Sequence, residues 1–238
     1  MNTGKPHIHT RESILSQLSE MDAPRNVPVL MHSSLRLIGN VEGGAQTLLD
    51  TLIEYFPAEG GLFCVPTHTW GNIGKEITLD LNDPKTCLGA FSDLAAADPR
   101  ALRSENPTHS MAAFGKNARE YIQGEEKSGT PAPVGGALSR LYELNGKVLL
   151  VGVGHERNTY LHSIDERVDQ PNRLSPNGFA VEITDWNGHV LRNEDFHPHR
   201  TEGISCGLSE YYRNYKHALD VTGAVQYGWL GNALTYCC

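Results

Sequence analysis

Three runs of β-forming residues, each closing on a polar cluster, constrain the fold of this chain more than any other feature. "NVPVLMHSSL" holds a short apolar strand, Val27 to Met31, that ends at His32, Ser33 and Ser34. "GLFCVPTHTW" holds a second, stopped by Pro66 and followed by Thr67 and His68. "GKVLLVGVG" holds a third, and "RNTYLHSIDER" follows it. Helical periodicity fills the segments between them. Ile14, Leu15 and Leu18 share a face over residues 10–21, and Leu48, Leu49, Leu52, Ile53 and Phe56 recur at helical spacing after Gly43 and Gly44. Further helices are expected over residues 90–104, in "NAREYIQGE" and at the end of "KSGTPAPVGGALSRLYEL", with a short strand in "NPTHSMAAFG". "FAVEITDWNGHV" alternates apolar and polar residues around Asn187-Gly188, a hairpin signal. Strands alternating with helices predict an α/β fold with a mixed β-sheet flanked by helices, the hairpin supplying the mixed character. The polar, turn-rich segment 71–84 reads as an excursion near the mouth of a site. No Pro/Gly/Ser-rich linker divides the chain, and 238 residues suffice for one sizeable core, so residues 1–238 are read as a single domain.

Composition narrows the function classes. Hydrophobic residues at 39% and charged residues at 20% describe an ordinary globular protein. No apolar run approaches the ~20 residues of a membrane span, and "MNTGKPHIHTRES" lacks the apolar segment of a secretory signal. Cys64, Cys87, Cys206, Cys237 and Cys238 are odd in number and lack metal-knuckle spacing, so reduced thiols in a cytoplasm are expected. The net charge of -8 and the absence of a basic stripe speak against nucleic acid and agree with a cationic partner.

In open α/β sheets, ligands sit outside the carboxyl ends of the strands. His32, His68 and His162 all lie just past predicted strands, and His109 with Ser110 stands just before one. If those strands are neighbours, the histidines share a site. Otherwise each is a packing or loop residue. On a helix, Asp165 and Glu166 fall three and four residues beyond His162, on its face. A carboxylate accepting an imidazole N–H would fix its tautomer and suit it to general-base work. The same spacing also fits a plain solvated helix face. "GNVEGGAQTLL" puts Gly43 and Gly44 at a helix start, where bare amides can hold a phosphate, but it is neither GxGxxG nor a P-loop. The His-x-His pairs His7/His9 and His197/His199 raise a metal-dependent hydrolase built on His162, Asp165, His197 and His199 as the rival enzyme class. Pro198 interrupts the second pair, and no metal ligand set is assigned. A third alternative is a binding module that keeps the cleft without turnover.

Taken in order, "MHSSLRLIGNVEGGAQTLLDTL", "GGLFCVPTHTW", "LRSENPTHSMAAFG", "SRLYELNGKVLLVGVGHERNTYLHSIDE" and "GAVQYGWLGNAL" resemble the aminoglycoside 3-N-acetyltransferase family, a fold distinct from the GNAT acetyltransferases. The resemblance runs from about residue 28 to residue 234. It implies acetyl transfer from acetyl-CoA to a primary amine, with a 2-deoxystreptamine aminoglycoside or another small cationic amine as acceptor. It implies that His162 is the base or its close partner, with Asp165 or Glu166 orienting it and His32 as the second important histidine. Ser33, Ser34, Leu35 and the Gly43-Gly44 loop would line the acetyl-CoA channel, and Thr67, His68, His109 and Ser110 would lie beside the pantetheine and thioester. Arg36 and Arg103 would offset CoA phosphates. Asp165 stands where family members usually have Glu. Family members usually continue past "GNALTYCC" through a further strand and helix, so either a shortened or a divergent C-terminal edge is expected, with less consequence for the site. The oligomeric state is left open, a homodimer being one option.

Overall fold

A computed structural model describes residues 7–70, 78–200 and 208–238. The first half of the chain runs β1 (Ile8–His9), α1 (Arg11–Glu20), β2 (Pro28–Ser33), α2 (Leu35–Ile38), β3 (Asn40–Val41), α3 (Gly44–Tyr55), β4 (Leu62–Pro66) and β5 (Thr78–Asp80). It continues through α4 (Ala90–Ala97), β6 (Leu102–Arg103), β7 (Met111–Phe114), α5 (Ala118–Ile122), α6 (Ala137–Glu143) and β8 (Lys147–Val151). The last part holds α7 (Tyr160–Arg167), β9 (Phe179–Thr184), β10 (Val190–Phe196), α8 (Leu208–Tyr211), α9 (Tyr215–Val221), β11 (Gln226–Leu230) and β12 (Ala233–Cys237).

The main sheet has seven strands in the order β11-β12-β8-β2-β4-β7-β6. Its centre, β8-β2-β4, is parallel, with Leu30 opposite Val148 on one side and Cys64 on the other. These are the three runs from which the α/β expectation came, and they are neighbours. Each is apolar almost throughout because both faces are covered. Val29, Met31, Phe63 and Val65 pack into one core with Ile14 and Leu18 of α1 and Leu48, Leu49 and Leu52 of α3. The alternate residues Leu30, Leu62 and Cys64 turn to the other face, against Tyr121 of α5 and Leu138 and Leu141 of α6. The Thr10 hydroxyl accepts from Ser13 N at 3.2 Å and starts α1 at the expected place.

Two expectations need correction. The Asn187-Gly188 hairpin forms, with Val190 opposite Thr184, but it joins β5 in a separate three-stranded sheet, β10-β9-β5. β10 is largely exposed, with Phe196 its one buried residue, so it has no second apolar face to insert between helix layers. The main sheet is mixed because β7, β6, β12 and β11 run antiparallel to their neighbours. The helix expected over residues 90–104 stops at Ala97, because Asp98 precedes Pro99 and takes an extended conformation. Leu102 and Arg103 then form an edge strand. Of the supposed excursion 71–84, residues 71–77 lie outside the described residues.

Candidate active site

Parallel β8, β2 and β4 deliver their carboxyl ends to one edge of the sheet, and β7, antiparallel to β4, begins at that same edge. This places His32 at the end of β2, His68 after β4, His109 before β7 and His162 in the helix after β8. His32, His109 and His162 line a cleft of about 790 Å³ together with Ser33, Ser34, Leu35, Trp70, Phe91, Glu156, Arg157, Asn158, Thr159, Arg173, His199, Arg200 and Tyr212. His68 packs on His109 with ring centres 4.5 Å apart, and His162 lies 5.4 Å from His109 and 4.6 Å from His199. Burial, reinforced by the neighbouring imidazoles and cations, holds His68, His109, His162 and His199 well below the usual histidine range. Burial takes His32 down to about 3. At neutral pH the cleft therefore presents neutral imidazoles.

The Nδ1 atom of His162 has two partners, the Tyr212 hydroxyl at 2.8 Å and Arg173 Nη2 at 2.7 Å. Tyr212 also donates to Asp165 Oδ2, and Arg173 Nε stands 3.2 Å from the same oxygen. A guanidinium only donates. When Arg173 engages Nδ1, that nitrogen presents its lone pair and the ring proton sits on Nε2. When Nδ1–H instead donates to Tyr212, whose own proton goes to Asp165, Nε2 carries the lone pair. The second arrangement leaves Nε2 free to accept a proton and links His162 to Asp165 through the phenol.

Helical spacing left both carboxylates as partners for His162, and neither touches it. Glu166 accepts from Thr130 Oγ1 at 2.5 Å, from Ala132 N at 2.9 Å and from His199 Nε2 at 2.8 Å. It ties α7 to the 130–132 loop and to His199. Asp165 reaches His162 only through Tyr212 and Arg173. Burial pushes both carboxyls up from their ordinary range.

Other expected residues are placed unevenly. Ser33, Ser34 and Leu35 line the cleft. Arg36, Gly43 and Gly44 are exposed and stand outside its lining. Thr67, His68 and Ser110 have no exposed surface, so they do not touch a bound cofactor from where they sit. Thr67 and Ser110 link their hydroxyls at 3.0 Å, and Ser110 Oγ donates to Thr67 O at 2.7 Å, forming the floor beneath the histidines. Arg103 is fully buried and donates to Thr67 Oγ1, Thr67 O and Asp83 O. It pins that floor to the 80–83 turn instead of offsetting a phosphate. The rival metal set also disperses. His197 donates from Nδ1 to Ser175 O at 2.8 Å and pairs with Asp195 at 3.0 Å, away from His199. Among the described residues, His109, His162 and His199 bring one nitrogen each within 4.8 Å of the others. Tyr212 and Arg173 were not foreseen. They stand 50 and 11 residues from His162, and no periodicity links them to it.

A sequence profile of the aminoglycoside 3-N-acetyltransferase family matches residues 30–238. Aminoglycoside N(3)-acetyltransferase IV of Salmonella sp is 31% identical over 153 residues, 64% of this chain and 57% of that one. The SPbeta prophage-derived aminoglycoside N(3')-acetyltransferase-like protein YokD of Bacillus subtilis is 28% identical over 183 residues, 67% of this chain and 65% of that one. The chain thus spans less than two thirds of the length of these relatives. Among solved structures, the apoenzyme of aminoglycoside acetyltransferase AAC(3)-IVa aligns with a TM-score of 0.74 at 26% identity, over 99% of this chain and 85% of that one. AAC-IIIb, in a binary complex with CoASH, aligns with a TM-score of 0.75 at 19% identity, over 97% and 91%.

Proposed function

Because the chain belongs to the aminoglycoside 3-N-acetyltransferase family, we propose that it transfers the acetyl group of acetyl-CoA to a primary amine, the 3-amino group of a 2-deoxystreptamine aminoglycoside. The observation that carries this reading is His162, neutral and cleft-lining, with Nδ1 in reach of a Tyr212–Asp165 relay. An amine attacks a thioester only through its lone pair, so a proton must leave the nitrogen as the C–N bond forms. His162 Nε2 takes that proton while Nδ1–H donates to Tyr212, and the imidazolium so formed is stabilised by Asp165 through the phenol. The C–S bond then breaks, and the proton passes to the departing CoA sulfur.

Arg173 supplies a fixed positive charge at the same end of the cleft, where the carbonyl oxygen becomes anionic. Ser33, Ser34 and Leu35 line the donor side, and Arg157 and Arg200 offer cations to the CoA phosphates. Transfer is direct. Cys64 is sealed in β4 and its thiol is pushed far up by burial, so it forms no acyl-enzyme. The donor implies a cytoplasmic setting, and no helix among the described residues is long and apolar enough to cross a membrane.

The test is free-thiol release from acetyl-CoA against a panel of aminoglycosides and simple amines, with a no-acceptor control for the protein's own five cysteines. Release that depends on 2-deoxystreptamine compounds is the expected result. Turnover confined to other amines would keep the chemistry and replace the acceptor. Silence on every amine would remove the reading.

A further inference from the structure

We propose that His109, His162 and His199 form a binding site for a divalent transition-metal ion of the zinc class, and that its occupancy blocks the cleft for acetyl transfer. The blocking half rests on the base role given to His162; the binding half does not. Three imidazoles, from the start of β7, from α7 and from the chain after β10, bring one nitrogen each within 4.8 Å of the others. Tetrahedral zinc with N ligands at about 2.0–2.1 Å needs nitrogens about 3.4 Å apart, so closure takes side-chain shifts on the order of 1 Å. The ion enters through the cleft, which leaves its fourth position to water.

The hydrogen bonds around the trio are those of metal ligands. Thr108 Oγ1 lies 2.9 Å from His109 Nδ1, and in the tautomer whose Nδ1–H donates to that hydroxyl the lone pair is on Nε2. His199 Nε2–H donates to Glu166 at 2.8 Å, the carboxylate–histidine pairing that orients and strengthens a ligand, and its Nδ1 keeps the lone pair. His162 keeps its Nε2 lone pair in the tautomer that donates to Tyr212. The opposing feature is Arg173, which competes for His162 Nδ1 at 2.7 Å. Its charge is offset by Asp165 at 3.2 Å.

A ligated His162 has no lone pair left for an amine proton, which is why occupancy and turnover exclude each other. The experiment titrates the full, metal-free chain with Co²⁺ and then with Zn²⁺ against a competing chelator dye. Thiolate ligation gives Co²⁺ a near-ultraviolet charge-transfer band that imidazole ligation lacks, which separates this site from the tandem Cys237-Cys238.

The expected result is one equivalent bound without that band, weakened roughly tenfold or more by His109→Asn and by His199→Asn. His197→Asn, whose ring faces Ser175 and Asp195, should bind as the parent does, and Arg173→Met should bind more tightly. Thermal melts of each variant separate lost binding from lost folding. Thiol release should fall with the same metal midpoint. A thiolate band, or binding indifferent to His109→Asn and His199→Asn, would overturn the site. Imidazole binding that spares turnover would overturn the block. If no amine is acetylated at all, the Co²⁺ titration still decides the site, so the two failures are distinguishable.

Discussion

Tyr212→Phe removes one oxygen and tests the relay most directly. The ring is almost fully buried and keeps its packing, so the change isolates the hydroxyl. That hydroxyl sits 2.8 Å from His162 Nδ1 and donates to Asp165 Oδ2. In the resting cleft its loss costs little, because Arg173 still contacts both His162 and Asp165. In the transition state the imidazole becomes a cation whose Nδ1–H then has no acceptor. A hydrogen bond to a charged group is worth about 1.5–3 kcal/mol. At about 1.4 kcal/mol per decade, turnover should fall roughly 10- to 150-fold. The assay is thiol release at saturating acetyl-CoA and amine, with the acetyl-CoA dissociation constant measured by calorimetry on the same protein. The expected pattern is a lowered kcat with donor binding within about twofold of the parent. An unchanged kcat would show that the phenol does not carry the coupling between Asp165 and His162.

The remaining predictions use the same geometry. His162→Ala should lower turnover by roughly two to four decades while acetyl-CoA still binds, read by calorimetry beside kinetics; parent-like turnover would remove its role. Asp165→Asn should cost turnover, whereas Glu166→Gln, which weakens contacts to Thr130, Ala132 and His199, should mainly lower the unfolding free energy, by about 1–3 kcal/mol read from urea titrations. The reverse pattern would exchange the two roles. His32 is held down to about 3 in the folded state against about 6.5 unfolded, so below pH 6.5 the unfolded chain takes up the extra proton. Its contribution to stability is complete above about 6.5 and is lost as pH falls toward 3. Relative to His32→Asn, the parent should lose about 1.4 kcal/mol per pH unit in that window, and parallel urea-midpoint profiles would refute it.

What could be read from the sequence was whatever depends on local pattern. Val29 to Met31, Leu62 to Val65 and Val148 to Val151 are continuous apolar runs, and such runs become central parallel strands because helices cover both their faces. Gly43 and Gly44 marked a helix start for an equally local reason. The hairpin at Asn187-Gly188 was legible as a turn, but its destination was not. Which sheet a hairpin joins depends on who covers it, and β5, three residues long, gave no signal of its own.

The site divides along the same line. The rule that ligands meet strand ends singled out His32, His68 and His162, and strand direction and adjacency bring His32 and His162 to one cleft while His68 lies buried behind His109. Spacing then failed at the next level of detail. Residues i+3 and i+4 on α7 share a face with His162, yet a side chain's partner is chosen by everything packed on that face, and α7 meets the Thr130–Ala132 loop, Arg173 and Tyr212. Glu166 was taken by backbone and threonine donors, and Asp165 was left to act through a phenol. Asp is one methylene shorter than Glu, and a phenol oxygen spans the gap between its carboxylate and the ring. On that account Asp165→Glu should be tolerated only when Tyr212 is Phe. The longer carboxylate then accepts directly from His162 Nδ1, and the double variant should recover turnover that Tyr212→Phe alone has lost. A double variant no better than Tyr212→Phe, in the same thiol-release assay, would separate the phenol's contribution from simple reach.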